Sequence, residues 1–98
     1  MNIKEILDKT ELLAQLAEES AELSQAALKL RRAIMGINPT PKTIANCEVS
    51  LDEEIADVEL CLNELGFHSE DHLFIQSEIM AAKQKRWLTR LLERHGEV

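Results

Sequence analysis

The chain has 98 residues with 18 acidic and 11 basic side chains, which gives a formal net charge of −7 at pH 7. This length predicts one domain over residues 1–98, and the acidic balance argues against nucleic acids and anionic membranes as partners, because both bind basic surface. Apolar residues are interrupted by charges throughout, so we expect neither a transmembrane span nor a secretory signal, and hence a cytoplasmic protein.

The first long helix is predicted from about Thr10 to Met35, with Thr10 as the N-cap. Residues 1–9 form either a short preceding helix or a continuation of the long one. Apolar residues recur at spacings of three, four or seven, which predicts one buried stripe. The stripe comprises Leu12, Leu16, Leu23, Ala26, Leu30 and Ile34.

A loop is predicted next, at residues 36–42 (GINPTPK), where Gly36 suits a helix C-cap and two prolines disfavour helical geometry. The second helix begins at Thr43 or at Ser50. The pattern Ser50-x-x-Glu53 resembles a capping box and favours the later start. One apolar stripe nevertheless continues through both candidates, so we favour Thr43, and Gly66 ends the helix. That stripe comprises Ile44, Cys47, Leu51, Val58, Cys61 and Leu65.

The third helix is predicted to begin after Ser69 as its N-cap and to fray near Gly96. Its buried line is expected to comprise Leu73, Met80, Trp87 and Leu91. The three histidines belong to no motif and are expected at the surface, and the two cysteines lack the spacing of zinc ligands or a local disulfide. No segment alternates like a strand, so the predicted fold class is all-α.

Two acidic octets share one template, LAEESAEL at residues 16–23 and LDEEIADV at residues 51–58. At 100° per residue, Glu19 lies on the apolar stripe of the first helix, and Glu22 lies about 60° away at its edge. Glu54 and Asp57 occupy the same two positions on the second helix. Both helices therefore direct a pair of carboxylates toward their buried side.

An ionised carboxylate in an apolar stripe costs several kcal/mol unless it is compensated. Acids on helices usually form a solvated face, but the repetition and the inward direction favour a shared cation. Carboxylates without sulfur or imidazole select Mg²⁺, with Mn²⁺ or Ca²⁺ as alternatives. A di-iron bundle is excluded, because it needs Glu-x-x-His motifs that this sequence does not have.

Basic residues follow on the third helix, where Lys83, Arg86 and Arg90 lie on one strip. They are candidates for binding the phosphate oxygens of a substrate. They could equally be cations that favour the helix dipole or pair with surface acids.

The acids in EESAE (Glu18 to Glu22) and EIAD (Glu54 to Asp57) resemble the EExxE…ExxD signature of MazG-like all-α nucleotide pyrophosphohydrolases. The stretch KQKRWLTRL at residues 83–91 resembles the basic segment of that family's last helix. The resemblance covers roughly residues 12–94. It implies long antiparallel helices in a bundle completed by oligomerisation, as a homodimer or, alternatively, a tetramer.

The resemblance also implies Mg²⁺-dependent cleavage between the α and β phosphates of a nucleoside triphosphate, which yields a monophosphate and pyrophosphate. Its metal ligands correspond to Glu19, Glu22, Glu54 and Asp57, and Glu18 or Glu22 would orient the attacking water. Two alternatives stay open. One is phosphoribosyl-ATP pyrophosphohydrolase of the same superfamily, and the other is a catalytically silent helical oligomerisation module.

Overall fold

The computed structural model describes residues 1–36 and 42–96. Its helices are α1 (Ile3–Ile6), α2 (Lys9–Met35), α3 (Ile44–Glu64) and α4 (Glu70–Arg94). Neither described range contains a strand, so the predicted all-α class is confirmed for these residues. No helix in these two ranges is both long enough and apolar enough to span a bilayer.

The chain divides into two compact units, one from Met1 to Gly66 and one that begins at Phe67. The first unit contains α1, α2 and α3, and the second contains α4. A single domain over residues 1–98 stays a prediction.

Helix α2 begins one residue earlier than predicted, and its N-cap is Asp8 rather than Thr10. The Asp8 carboxylate accepts the Glu11 backbone N–H at 2.8 Å, and the Glu11 carboxylate accepts the Asp8 N–H at 3.1 Å. The Thr10 hydroxyl donates to the Asp8 carboxylate at 2.6 Å. This bond, followed by the Glu11 N–H, holds the pKa of Asp8 below its ordinary value. A charged carboxylate is therefore the cap, and Thr10 supports it.

Residues 1–9 contain the short separate helix, which is the first of the two alternatives. Asn2 caps α1 through a reciprocal pair of hydrogen bonds with Glu5. The backbone of Leu7 is extended, with φ −106° and ψ 131°, and this interrupts the helix before Asp8. Helices α1 and α2 are thus separated by a two-residue break.

Helices α2 and α3 pack against each other as an antiparallel hairpin. The antiparallel order follows from two cavities, because one joins residues 12–19 to residues 57–64 and the other joins residues 22–29 to residues 47–54. The buried residues lie on the predicted stripes, and they are Leu12, Ala26, Cys47 and Cys61. Two other predicted stripe residues, Ile34 and Ile44, are exposed, and both lie at the loop end of the hairpin.

The helix ends on the loop side of the hairpin follow the predicted signals. Gly36 adopts the left-handed conformation at φ 65° and ends α2, as predicted. Thr43 caps α3 by accepting the Asn46 N–H at 3.1 Å, which confirms the earlier start. Ser50 lies inside α3, so the predicted capping box at Ser50 is not used. The predicted loop prolines lie at residues 37–41, outside the described residues.

Helix α4 begins after its predicted N-cap, Ser69, which accepts the His72 N–H at 3.3 Å. Its predicted buried line is wrong, because α4 contains no buried residue and Trp87 is 63% exposed. Periodicity identified the apolar face of α4, but it does not say what covers that face.

His68 also differs from the expectation of a surface residue, since it is half-buried.

Candidate metal centre

Four carboxylates converge midway along the α2–α3 hairpin. Glu19 and Glu22 of α2 and Glu54 and Asp57 of α3 each offer one oxygen, and these oxygens all lie within 4.8 Å of one another. They are the four acids that the two octets directed toward the buried side. The structure therefore brings together residues that are more than 30 positions apart in the chain.

The spacing of these oxygens suits a divalent cation. Opposite ligands of Mg²⁺ are about 4.2 Å apart and those of Ca²⁺ roughly 4.6–5.2 Å apart, from their usual bond lengths. The separations here are all within 4.8 Å, an upper bound that is compatible with either ion. All four ligands are oxygen, which is the chemistry that hard cations prefer.

The inner acid of each octet carries an unsatisfied oxygen. Glu19 and Glu54 are half-buried, and the Oε2 atom of each is buried without a hydrogen-bond partner among the described residues. Leaving such a buried acceptor unpaired costs about 1–3 kcal/mol, and more for a charged group. A bound cation would satisfy both atoms. The second oxygen of Glu19 accepts the Gln15 side-chain amide at 2.8 Å, which orients this carboxylate.

The cluster creates a negative potential that raises the pKa of one of its own members and of a nearby thiol. The charge of Glu19 raises the pKa of Glu22 above its ordinary value, and desolvation and the charge of Glu54 add to the effect. Burial raises the pKa of the Cys61 thiol, and the charges of Glu19 and Asp57 add to it. The carboxylates therefore repel one another, and this repulsion favours a cation or a proton among them.

A cavity adjoins the carboxylates on each side along the hairpin. The larger one, about 350 Å³, lies toward the loop and includes Glu22 and Glu54 in its lining together with two lysines, Lys29 and Lys42. The smaller one, about 180 Å³, lies toward α1 and has a mainly apolar lining. That lining includes Leu7, Leu12, Leu60 and Cys61 beside Glu19 and Asp57. The larger cavity therefore has the more polar lining, and the smaller cavity has the more apolar one.

The remaining predicted site residues lie outside the four-carboxylate cluster. Glu18 is exposed on α2, and its role in orienting water stays a prediction. Lys83, Arg86 and Arg90 are exposed on α4 in the second unit, and their role in phosphate binding also stays a prediction.

Sequence reasoning missed three polar residues of the hairpin that adjoin the carboxylates. Gln15 could have been found, because it precedes Glu19 by one helical turn. Lys29 could also have been found, since it follows Glu22 by two turns on the same face. Lys42 stands outside the helices, where no periodicity predicts its position.

Comparison of the chain with protein-family models, curated proteins and solved structures found no match. The function of this centre must therefore be argued from the residues themselves. They provide hard oxygen ligands, two unsatisfied buried oxygens and a cavity with cationic side chains next to them.

Proposed function

We propose that the protein is a Mg²⁺-dependent nucleoside triphosphate pyrophosphohydrolase of MazG-like fold, which cleaves between the α and β phosphates. The observation that carries this proposal is the convergence of four carboxylates from two helices, two of them with buried unsatisfied oxygens. Without a cation, the mutual repulsion of these four carboxylates would destabilise the hairpin. A bound cation would offset this repulsion.

Glu19, Glu22, Glu54 and Asp57 would hold the ion, with Mn²⁺ as an alternative to Mg²⁺. When bound, the ion supplies Lewis-acid stabilisation of the charge that develops on the phosphate oxygens. Protein oxygens fill part of its coordination sphere, and Mg²⁺ commonly shares the remainder with water and substrate phosphates. A triphosphate is for this reason a suitable substrate for the centre.

Two acids of α2 are the candidates for handling the attacking water. Glu22 lies at the exposed edge of the cluster, where its carboxylate can accept a proton from the water. Glu18 is exposed one turn before it and can orient the water from outside the cluster. The water would attack the α phosphorus in line, its proton would go to the carboxylate, and the bond between the α phosphorus and the bridging oxygen would break to release pyrophosphate. Lys83, Arg86 and Arg90 of α4 stay candidates for binding phosphate oxygens.

Self-association is part of the proposal. Helix α4 exposes several large apolar side chains, and exposed apolar surface commonly marks an interaction site. These residues include Leu73, Phe74, Ile79, Met80, Trp87 and Leu88. A second copy of the chain, in a homodimer or a tetramer, would cover them and complete the helical bundle. We place the enzyme in the cytoplasm.

The test measures Mg²⁺ binding by calorimetry and pyrophosphate release from a panel of nucleoside triphosphates. We expect Glu19→Gln and Asp57→Asn each to lower turnover by more than about a hundredfold, because each removes a metal ligand. Glu48→Gln is the matched control, since Glu48 is exposed on α3 and points about 120° away from Glu54.

Undiminished pyrophosphate release in both ligand variants would contradict the proposal. Wild-type protein that neither binds Mg²⁺ nor releases pyrophosphate would favour the silent oligomerisation module instead. Activity restricted to phosphoribosyl-ATP would favour the second enzyme of the superfamily.

A further inference from the structure

The larger cavity of the hairpin is lined by side chains of both charges. Glu22 and Glu54 belong to the carboxylate cluster, and Glu53 is a third acid of the lining. Lys29 and Lys42 are basic residues of the same lining. A cavity of about 350 Å³ lies at the lower end of the range for small-molecule sites, roughly 300–1,000 Å³. It is large enough for part of a nucleotide.

The helices place the cations on the loop side of the carboxylates. Lys29 follows Glu22 by seven residues, which is about 10.5 Å along α2 and within about 20° of the same face. Lys42 precedes α3, and its ammonium group donates to the Ser50 hydroxyl at 3.5 Å. Ser50 lies one turn before Glu54 on α3. Both lysines therefore stand next to the carboxylates, in the direction of the loop.

An anion that binds the metal centre would meet these two cations on only one of its sides. The cavity on the other side of the carboxylates has a more apolar lining, and none of its described lining residues is a lysine or an arginine. A molecule with several phosphate groups at one end and an organic group at the other matches this asymmetry. The hydroxyl of Ser50 adds a neutral donor beside Lys42.

We propose that this cavity is the subsite for the terminal phosphates of the substrate, with Lys29 and Lys42 as the side chains that bind them. This inference rests on the proposed function, and it gives the substrate a direction along the hairpin. The terminal phosphates lie toward the loop, and the nucleoside end lies toward the apolar cavity near Leu12 and Leu60. The pyrophosphate that is released leaves from the lysine side.

The test uses inorganic tripolyphosphate as the probe, since it carries the phosphates without a nucleoside. Binding is measured by calorimetry in saturating Mg²⁺ for Lys29→Gln, Lys42→Gln and the double variant. We expect each single change to raise the Kd for tripolyphosphate about tenfold, because each removes one charge-assisted contact. Lys29→Arg and Lys42→Arg should keep most of the affinity. Binding of Mg²⁺ alone should not weaken in any of these variants.

Lys9→Gln is the matched control, because it removes one positive charge from α2 about 30 Å away from Lys29. A double lysine variant that binds tripolyphosphate as tightly as the wild type would overturn the subsite, even if Mg²⁺ binding and pyrophosphate release are intact. Loss of affinity in Lys9→Gln equal to that in Lys29→Gln would also overturn it, since net charge alone would then explain the effect. Absence of Mg²⁺ binding in the wild type, by contrast, would remove the proposed function itself.

Discussion

Helices α2 and α3 contribute the same acidic octet, but they support it differently. In both helices the inner acid is half-buried with an unsatisfied oxygen, and the acid three residues later is exposed. The difference lies one turn before the inner acid. On α2 this position is Gln15, which donates to Glu19, whereas on α3 it is Ser50, which accepts from Lys42. On α2 a hydrogen bond thus orients the inner acid, whereas on α3 the equivalent position contacts a lysine of the larger cavity.

The largest expected effect tests what the two halves have in common. Mg²⁺ at about one hundred times its Kd should raise the free energy of unfolding by about 2.7 kcal/mol. Glu19→Gln and Glu54→Gln should both abolish this gain, and both should make the metal-free protein more stable than the wild type, because each removes a half-buried charge that repels the neighbouring carboxylates. Thermal unfolding with and without chelator measures both effects. Retention of the Mg²⁺ gain in either variant would show that the two inner acids are not equivalent.

A second expected effect concerns Glu22, the outer acid of α2, and depends on pH. The pKa of Glu22 in the folded state lies above its ordinary value of 4.5, so the folded state holds more protons between the two pKa values. The contribution of Glu22 to stability is therefore complete below pH 4.5 and is lost as the pH rises through the folded pKa. In metal-free protein, Glu22→Gln should remove this part of the decline in denaturant midpoint with pH. Parallel pH profiles of variant and wild type would contradict the assignment.

The smallest expected effect addresses the difference between the halves. Gln15→Leu should weaken Mg²⁺ binding by about fivefold, because the loss of one hydrogen bond of about 1 kcal/mol frees the Glu19 carboxylate. Ser50→Ala should instead weaken tripolyphosphate binding a few-fold and leave Mg²⁺ binding unchanged. Calorimetry with each ligand separates the two results. Equal changes in both variants for both ligands would remove the distinction between α2 and α3.

Local sequence signals predicted the helices and the inward direction of the acids on each helix. The caps at Thr43, Ser69 and Gly36 depend on side chains or backbone freedom within one turn, so the sequence alone identifies them. The Glu19 and Glu54 positions followed from a repeated template and the helical period. Such features require only the chain near each residue.

Features that depend on distant partners could not be predicted in the same way. The apolar line of α4 is visible in the sequence, but Trp87 is largely exposed, because periodicity does not specify a covering surface. The Asp8 cap was missed because Asp8 and Thr10, two positions apart, are both residue types that can cap a helix. The contact of Lys42 with Ser50 joins a residue before α3 to its second turn, and no repeat in the sequence predicts it.

The two thiols give the hairpin a pair of natural reporters. Cys47 and Cys61 are both buried and stand about 21 Å apart on α3, one beside each cavity. A buried thiol is alkylated only when local opening of the structure exposes it. The labelling rates of the two sulfurs therefore measure the transient separation of the helices at each end independently, with no probe engineered into the chain.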